Sequence, residues 1–178
     1  VSLYSYNMKN LIDQILDPVD ELIQHRNINK VEARGIEVGF RGRMKSVLRG
    51  YASYTFQRAE DAQTKKKLTN QPSHILKAGL NRPFTRHLIA ATEVQYETGR
   101  KTVYGTRTDA YLLASFRLAV QPQLRVAPLR TLLDQVKISF MVRNLFDIDY
   151  ATPGGLAHLQ PAIPQNGRNY VLRVGYEL

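Results

Sequence analysis

The chain has 178 residues, with 25 Lys and Arg against 15 Asp and Glu, a formal net charge of +10, and 43% hydrophobic and 22% charged residues. That length supports one domain with a core, and no run of about 18 apolar residues occurs, which excludes a membrane-spanning helix but leaves a membrane β-barrel open, because half of every barrel strand is polar. There is no cysteine, which excludes disulfides and thiolate metal sites.

Eight segments alternate apolar and polar residues with the period of two that marks a strand. The first runs from Val1 to Leu16, with Tyr4, Tyr6, Met8 and Ile12 on one face. It begins without Met inside a strand, so a fragment is expected, with the processed N-terminus elsewhere. The second, Asn27 to Arg43, ends in Ile36, Val38 and Phe40 against Glu37, Gly39 and Arg41. In the third, Leu48, Ala52, Tyr54 and Phe56 oppose Arg49, Ser53, Thr55 and Gln57. The fourth sets Leu76, Ala78 and Leu80 against Lys77 and Asn81, and the fifth sets Leu88, Ala90, Val94 and Tyr96 against Glu93 and Gln95. The sixth opposes Leu112, Ala114, Phe116 and Leu118 to Ser115 and Arg117; the seventh opposes Val136, Ile138, Phe140 and Val142 to Lys137, Ser139, Met141 and Arg143. The eighth alternates from Asn169 to Leu178, and its sheet is expected to extend to the last residue. The best helix candidate, Leu129 to Gln135, is barely two turns long.

The connections alternate as well. Arg43–Ser46 and Arg82–Arg86 are short turns, whereas Glu60–Pro72, Glu97–Asp109 and Asp147–Arg168 are long and polar. One tight end and one loopy end is the asymmetry of an outer-membrane barrel, with short periplasmic turns and long external loops. Two connections break the pattern: Asp17–Glu21 is short where a long loop is due, and Gln121–Gln135 is long where a turn is due. Several segments sustain alternation for nine residues or more, against about 9–11 for a tilted membrane strand and about 5–6 in soluble sheets. The polar faces carry Arg49, Lys77, Glu93, Arg117, Lys137, Arg143, Arg173 and Glu177, which suits a wet lumen. Tyr4, Tyr6, Tyr54, Phe56, Tyr96, Tyr170 and Tyr176 lie towards strand ends, as interfacial aromatic girdles do. A soluble sandwich with one solvated face per sheet is the competing reading of the same alternation.

At this point the residues resemble a family. Val142-Arg143-Asn144-Leu145-Phe146-Asp147, then Tyr150 and Pro153-Gly154-Gly155, resembles the penultimate strand and last external loop of TonB-dependent outer-membrane receptors. Ile163-Pro164-Gln165-Asn166-Gly167-Arg168 and the strand after it resemble the family's final segment. Upstream, Asn27, Ala33 and Gly35-Ile36-Glu37 resemble its N…A…G-x-E strand, and Leu68-Thr69-Asn70-Gln71-Pro72 with His74 resembles its L-x-N-x-P-x-H element. Family members usually finish on Phe; here Leu178 is last and Tyr176 is the nearest aromatic residue.

The resemblance implies an all-β fold: residues 1–178 as the C-terminal part of an antiparallel transmembrane barrel, about the last eight of roughly 22 strands. It implies a bacterial outer-membrane location with a periplasmic C-terminus. It implies as partners the receptor's own plug domain and remaining barrel strands, the TonB energy-coupling complex through an N-terminal region absent from this chain, outer-membrane lipid and lipopolysaccharide, and a small-molecule metal chelate as ligand. The function implied is import of a scarce nutrient, such as a ferric siderophore, by TonB-coupled gating.

The residues themselves offer no catalytic constellation and no cofactor site. His25, His74, His87 and His158 lack metal-ligand spacing; His74 reads as interfacial. Asn144 to Asp147 reads as structural, its Asn and Asp satisfying backbone groups where a strand stops. The candidates for ligand contact are Tyr104, Arg107, His158, Gln160 and Gln165 in the external loops, with lumen-facing Arg117 and Arg143 below them. Arg suits an anionic chelate because its planar fork pairs with carboxylates bidentately. The same Arg residues would equally suit lipopolysaccharide phosphates, an acidic plug surface, or Glu37 and Glu93. Two other readings fit the pattern less well. One is a small non-transporting outer-membrane barrel, adhesive or structural, closed on these eight strands. The other is a basic nucleic-acid-binding domain, which would interleave aromatics with Lys and Arg on one face; here the aromatics mostly lie opposite the charges, so no nucleic-acid partner is expected. The run Lys65-Lys66-Lys67 reads as a solvated loop tip.

Overall fold

The computed structural model describes residues 1–17, 19–28, 30–44, 48–120 and 136–176. The helix candidate at Leu129–Gln135, the 121–135 connection, most of the turn after Arg43, and Glu177 and Leu178 lie outside the described residues. The described chain is all-β: β1 Ser2–Met8, β2 Leu11–Leu16, β3 Ile23–Ile28, β4 Val31–Met44, β5 Leu48–Asp61, β6 His74–Pro83, β7 Leu88–Glu97, β8 Tyr111–Val120, β9 Val136–Arg143, β10 Ala151–Pro153, β11 Ala162–Pro164 and β12 Asn169–Tyr176. Eight of these form one antiparallel sheet in the order β1-β4-β5-β6-β7-β8-β9-β12. Strands β2 and β3 pair as a separate hairpin, as do β10 and β11. The sheet does not close on itself: β1 and β12 are its two edges.

Two of the expected strands divide. The Val1–Leu16 segment breaks at Asn10, which takes φ +60, a left-handed conformation that Asn tolerates better than most side chains. The Asn27–Arg43 segment divides into the end of β3 and the start of β4. The connection at Asp17–Glu21 is therefore the tip of the β2–β3 hairpin. The link between sheet strands β1 and β4 runs from Lys9 to Lys30, as long as its neighbours at that end. Asp17 organises this tip: its carboxylate accepts from Val19 N at 2.9 Å and from Arg26 Nη2 at 2.5 Å.

Register explains the two faces. From β4 to β12 every registered pair joins residues of equal parity, for example Arg49↔Asn81, Asn81↔Ala91, Ala91↔Arg117 and Arg117↔Met141. Odd-numbered residues thus share one face and even-numbered residues the other. The even face carries Val38, Phe40, Leu76, Leu80, Phe116, Phe140, Leu172 and Val174, and no layer of the described chain covers it: Phe40 is 72% exposed and Leu172 68%. A soluble sandwich would bury these side chains against a second sheet. The fully buried hydrophobics among the described residues are few, and Val31, Ala33 and Ala59 cluster at the loop end, with Met8, Leu11 and Leu68 against them.

Strand β1 reverses parity, because Ser2 pairs with Glu37. A one-residue change of register moves every side chain to the other face. Tyr4 and Tyr6 therefore stand on the charged face, and the expectation that they belong to the interfacial girdle is corrected: Tyr4 lies over Gly35, where a Cβ would collide with its ring. On the apolar face the girdle keeps Tyr54, Phe56, Tyr96 and Tyr170 towards the loop end and Tyr176 at the other. His74 sits among them, as expected, its Nδ1 2.8 Å from Tyr54 Oη and its ring beside Phe56.

Candidate functional site

Two polar regions are available to a ligand, one on the charged face of the sheet and one in the loops. The first is a groove of about 370 Å³ across β4 to β9, lined by Arg41, Arg49, Tyr51, Asn81, Glu93 and Arg117 among others. Gly79 on β6 has no side chain, so the Tyr51 ring lies across it and its hydroxyl donates to the Glu93 carboxylate on β7. One aromatic side chain thereby ties three strands together. Glu93 is engaged by this neutral donor, and Arg41, Arg49 and Arg117 form no ion pair among the described residues. The groove is a concave surface with three available guanidinium groups, suited to carboxylate or phosphate groups.

The loops are built by backbone and short polar side chains. In the 98–110 loop, Thr108 N donates to Arg100 O at 2.9 Å, Arg100 N donates to Thr108 Oγ1 at 3.1 Å, and the Thr102 and Thr106 hydroxyls meet at 2.8 Å. Arg100 locks this loop to its surroundings. It pairs with the buried Glu97 carboxylate and reaches Asn70 Oδ1 in the neighbouring loop at 3.3 Å. Glu97 also accepts from Gln95 Nε2 at 2.7 Å.

The last loop is held at both ends by the motif noted in the sequence. Asn144, only 5% exposed and at φ +51, donates from Nδ2 to Ile148 O at 2.8 Å and accepts from Ile148 N at Oδ1 at 2.9 Å. Asp147 Oδ1 accepts from Arg168 N at 2.6 Å, which closes the loop where β12 begins. Both residues serve the backbone, as their position at a strand end led us to expect.

The expected site residues fall into separate groups. Tyr104 and His158 meet: the Tyr104 hydroxyl donates to His158 O at 2.5 Å and joins the 98–110 and 144–168 loops at the sheet's loop end. The His158 ring is occupied locally, its Nδ1 accepting from Gly155 N at 3.3 Å. Arg107 is on the same hairpin as Tyr104 and donates to Gly99 O at 3.2 Å. Gln160 is exposed beside His158, whereas Gln165 bonds Thr152 Oγ1 and Ile163 O, both at 3.0 Å, and so acts within its own loop. Arg143 is at the loop end of β9, opposite Asn169. Arg117 is six residues below Tyr111 on β8, or about 20 Å along the strand; it belongs with the groove rather than with the loops. Tyr51, Arg41 and Asn81 were missed as candidates, although their odd positions between Arg49 and Ser53, beside Gly39, and after Lys77 place them on the charged face. The Arg100–Asn70 contact left no trace in the sequence, because its partners come from different loops. Among the described residues no group of three His, Asp or Glu side chains lies close enough together to hold a metal ion.

Comparison with known proteins shows the family by sequence and the fold by structure. The sequence profile described as "TonB dependent receptor-like, beta-barrel" matches residues 1–145. No curated protein matches the sequence. Among solved structures, the sheet is similar to the pyoverdine outer membrane receptor FpvA from Pseudomonas aeruginosa PAO1, with a TM-score of 0.73 at 17% identity, over 99% of this chain and 26% of that one. It is similar to the siderophore receptor PiuA from Acinetobacter baumannii, with a TM-score of 0.68 at 19% identity, over 98% of this chain and 25% of that one. It is also similar to the copper transporter OprC, with a TM-score of 0.72 at 17% identity, over 98% of this chain and 28% of that one. The chain thus spans about a quarter of the length of the structures it resembles.

Proposed function

The chain belongs to the TonB-dependent receptor-like β-barrel family, and from that premise we propose that residues 1–178 form the C-terminal part of the barrel of an outer-membrane active-transport receptor. The whole receptor binds a scarce nutrient outside the cell, a ferric siderophore being the favoured class, and releases it inward when the TonB complex acts on the plug. The part played by this segment is to supply lumen wall and external loops. No covalent chemistry is involved, and the family's relatives are transport receptors rather than enzymes. The long loops face outward and the C-terminus lies in the periplasm. Lipid surrounds the even face, and the plug faces the odd one.

The observation that carries the reading is the separation of faces over the middle of the strands. A single uncovered sheet sets a face that is apolar over the middle of its strands against a charged one, and among the described residues the long loops gather at one end. Water cannot stabilise such an apolar face, and lipid can. Ligand contact is assigned to Arg41, Arg49 and Arg117 in the groove and to Tyr104, Arg107, Arg143, His158 and Gln160 nearer the loops.

The test is uptake of radiolabelled iron chelates by iron-starved cells that carry the intact receptor as their sole importer of this class. Deletion of the receptor is expected to abolish uptake of one chelate, and Arg49→Gln with Arg117→Gln to lower it while surface expression holds. Uptake unchanged by the deletion across hydroxamate, catecholate and mixed chelates would remove the siderophore reading. The same cells would then be tested with copper, the cargo named for one of the similar structures.

A further inference from the structure

Strands β8, β9 and β12 form a stretch of wall whose charge on the odd face is of one sign. Their odd-numbered residues include Arg117, Lys137, Arg143 and Arg173, and no Asp or Glu among the described residues. Register sets these cations at successive levels. Arg143 stands at the loop end of β9, opposite Asn169. Two residues lower, Met141 is registered with Arg117 on β8. Two residues lower again, Ser139 is registered with Arg173 on β12. Lys137 takes the next level, opposite Gly175. Each level lies about 7 Å below the last. Arg117, Arg143 and Arg173 are exposed and form no ion pair among the described residues. Glu93 on the adjacent β7, opposite Ser115, is engaged by the Tyr51 hydroxyl.

The series links two cavities. Arg117 lines the groove of about 370 Å³ and also a basin of about 430 Å³ nearer the turn end, where Arg86, Lys137 and Arg173 join it. No carboxylate is among the described residues that line this basin. A cleft lined by one sign of charge concentrates counter-ions, and passage along it needs several sites that each bind weakly enough to release. Evenly stepped guanidinium groups meet both requirements, because a polyanion wider than one step touches the next cation before it leaves the last. The neighbouring wall, β4 to β7, instead mixes Glu37 and Glu93 with Arg41, Arg49 and Lys77. A fixed protein partner can be answered by such mixed pairs, whereas a moving anion needs a path of one sign. We propose that Arg143, Arg117 and Arg173 form a relay that passes an anionic chelate down the barrel wall, from the loops to the turn end. This rests on the reading of the chain as part of an importer, and adds the sign of the cargo and the wall along which it travels.

The experiment uses iron-starved cells that carry the intact receptor containing this chain as their sole importer of this class, with variants compared at matched surface expression. The probes are radiolabelled iron as the trianionic tris-catecholate complex and as the neutral tris-hydroxamate complex. Binding is read in cells de-energised with a protonophore, and uptake in energised cells. The unaltered receptor is expected to take up the anionic complex in preference to the neutral one. Arg173→Gln, remote from the loops, is expected to leave binding unchanged and to lower the initial uptake rate by at least about tenfold, the loss of one charge-assisted contact. Arg173→Lys keeps the charge and should recover part of the rate. Lys77→Gln removes an equal charge from the mixed wall and should leave uptake unchanged. Equal uptake by Arg173→Gln, an equal loss in Lys77→Gln, a matching loss of binding, or preference for the neutral complex would overturn the relay and leave the import reading standing. Leakage of stachyose, a neutral tetrasaccharide, into vesicles that hold the Arg173→Gln receptor would also overturn it, because the cation would then be an anchor of the plug. Uptake of neither complex through the receptor would overturn the import reading, and the relay with it.

Discussion

The Tyr51 hydroxyl reaches the Glu93 carboxylate across an intervening strand, and it does so because residue 79, between them, is glycine. Packing and hydrogen bonding are joined in one contact. The phenol ring fills the space a side chain on β6 would take, and the carboxylate on β7 fixes the ring's direction. Gly79→Val is expected to expel the ring and lower stability by about 1–3 kcal/mol, the usual cost of overpacking. Tyr51→Phe keeps the packing, loses the hydrogen bond, and should cost on the order of 1 kcal/mol. Urea titration of the refolded receptor, read by gel mobility without heating, checks both; equal effects of the two variants would sink this account.

The face assignment makes a sharp contrast between neighbours. Lys77 and Ala78 are adjacent on β6 but point to opposite sides, Ala78 pairing with Ala52 and Val94 on the apolar face. Ala78→Arg places a cation in lipid near mid-depth and is expected to cost about 2–4 kcal/mol. Lys77→Arg, on the wet face, should leave stability unchanged. Unfolding titrations in lipid vesicles measure the difference, and a small cost for Ala78→Arg would mean that the even face is not in lipid.

Asn144 holds its turn with both ends of one amide at a positive φ. Asn144→Ala removes two hydrogen bonds and puts a Cβ-bearing residue without a polar tip in the left-handed region. The expected loss is about 2–3 kcal/mol. Faster amide exchange at Ile148 is the accompanying sign, and ligand affinity should fall only as far as the last loop loosens.

The turn after β5 carries a pH dependence of definite sign. Asp61 is at the loop end of β5, beyond the residues that pair with β6. Thr64, through its N–H and its hydroxyl, holds the Asp61 carboxyl below the usual carboxylate range, with help from Gln63 N–H and Lys65. The folded value is depressed, so the contribution is present above the unfolded pKa and is lost as pH falls through the folded one. The Thr64 amide proton should therefore keep its downfield shift at pH 5 and lose it only under more acidic conditions. Asp61→Asn, which keeps an acceptor but no charge, should abolish that titration. A shift that moves at or above the ordinary carboxylate pKa would contradict the assignment.

Alternation along the chain was enough to place the eight strands of the main sheet and, from β4 onward, their two faces, because a side-chain period of two is a local property of extended backbone; the break at Asn10, the break before Val31 and the short β10–β11 pair were not legible in it. The family motifs were legible for a similar reason: Asn144, Asp147 and Gly167 serve turns within a few residues of themselves, or across a single loop. Three matters were decided only by tertiary structure. The first is parity at β1, where pairing Ser2 with Glu37 turned Tyr4 and Tyr6 to the charged side; register is a relation between strands, and neither strand states it alone. The second is the groove, in which Tyr51, Glu93 and Arg117 come from three strands and meet because Gly79 leaves room. The third is the clamp of Arg100 on Glu97 and Asn70. A pattern within one strand is fixed by backbone geometry, whereas contacts between strands and loops depend on where the rest of the chain brings their partners.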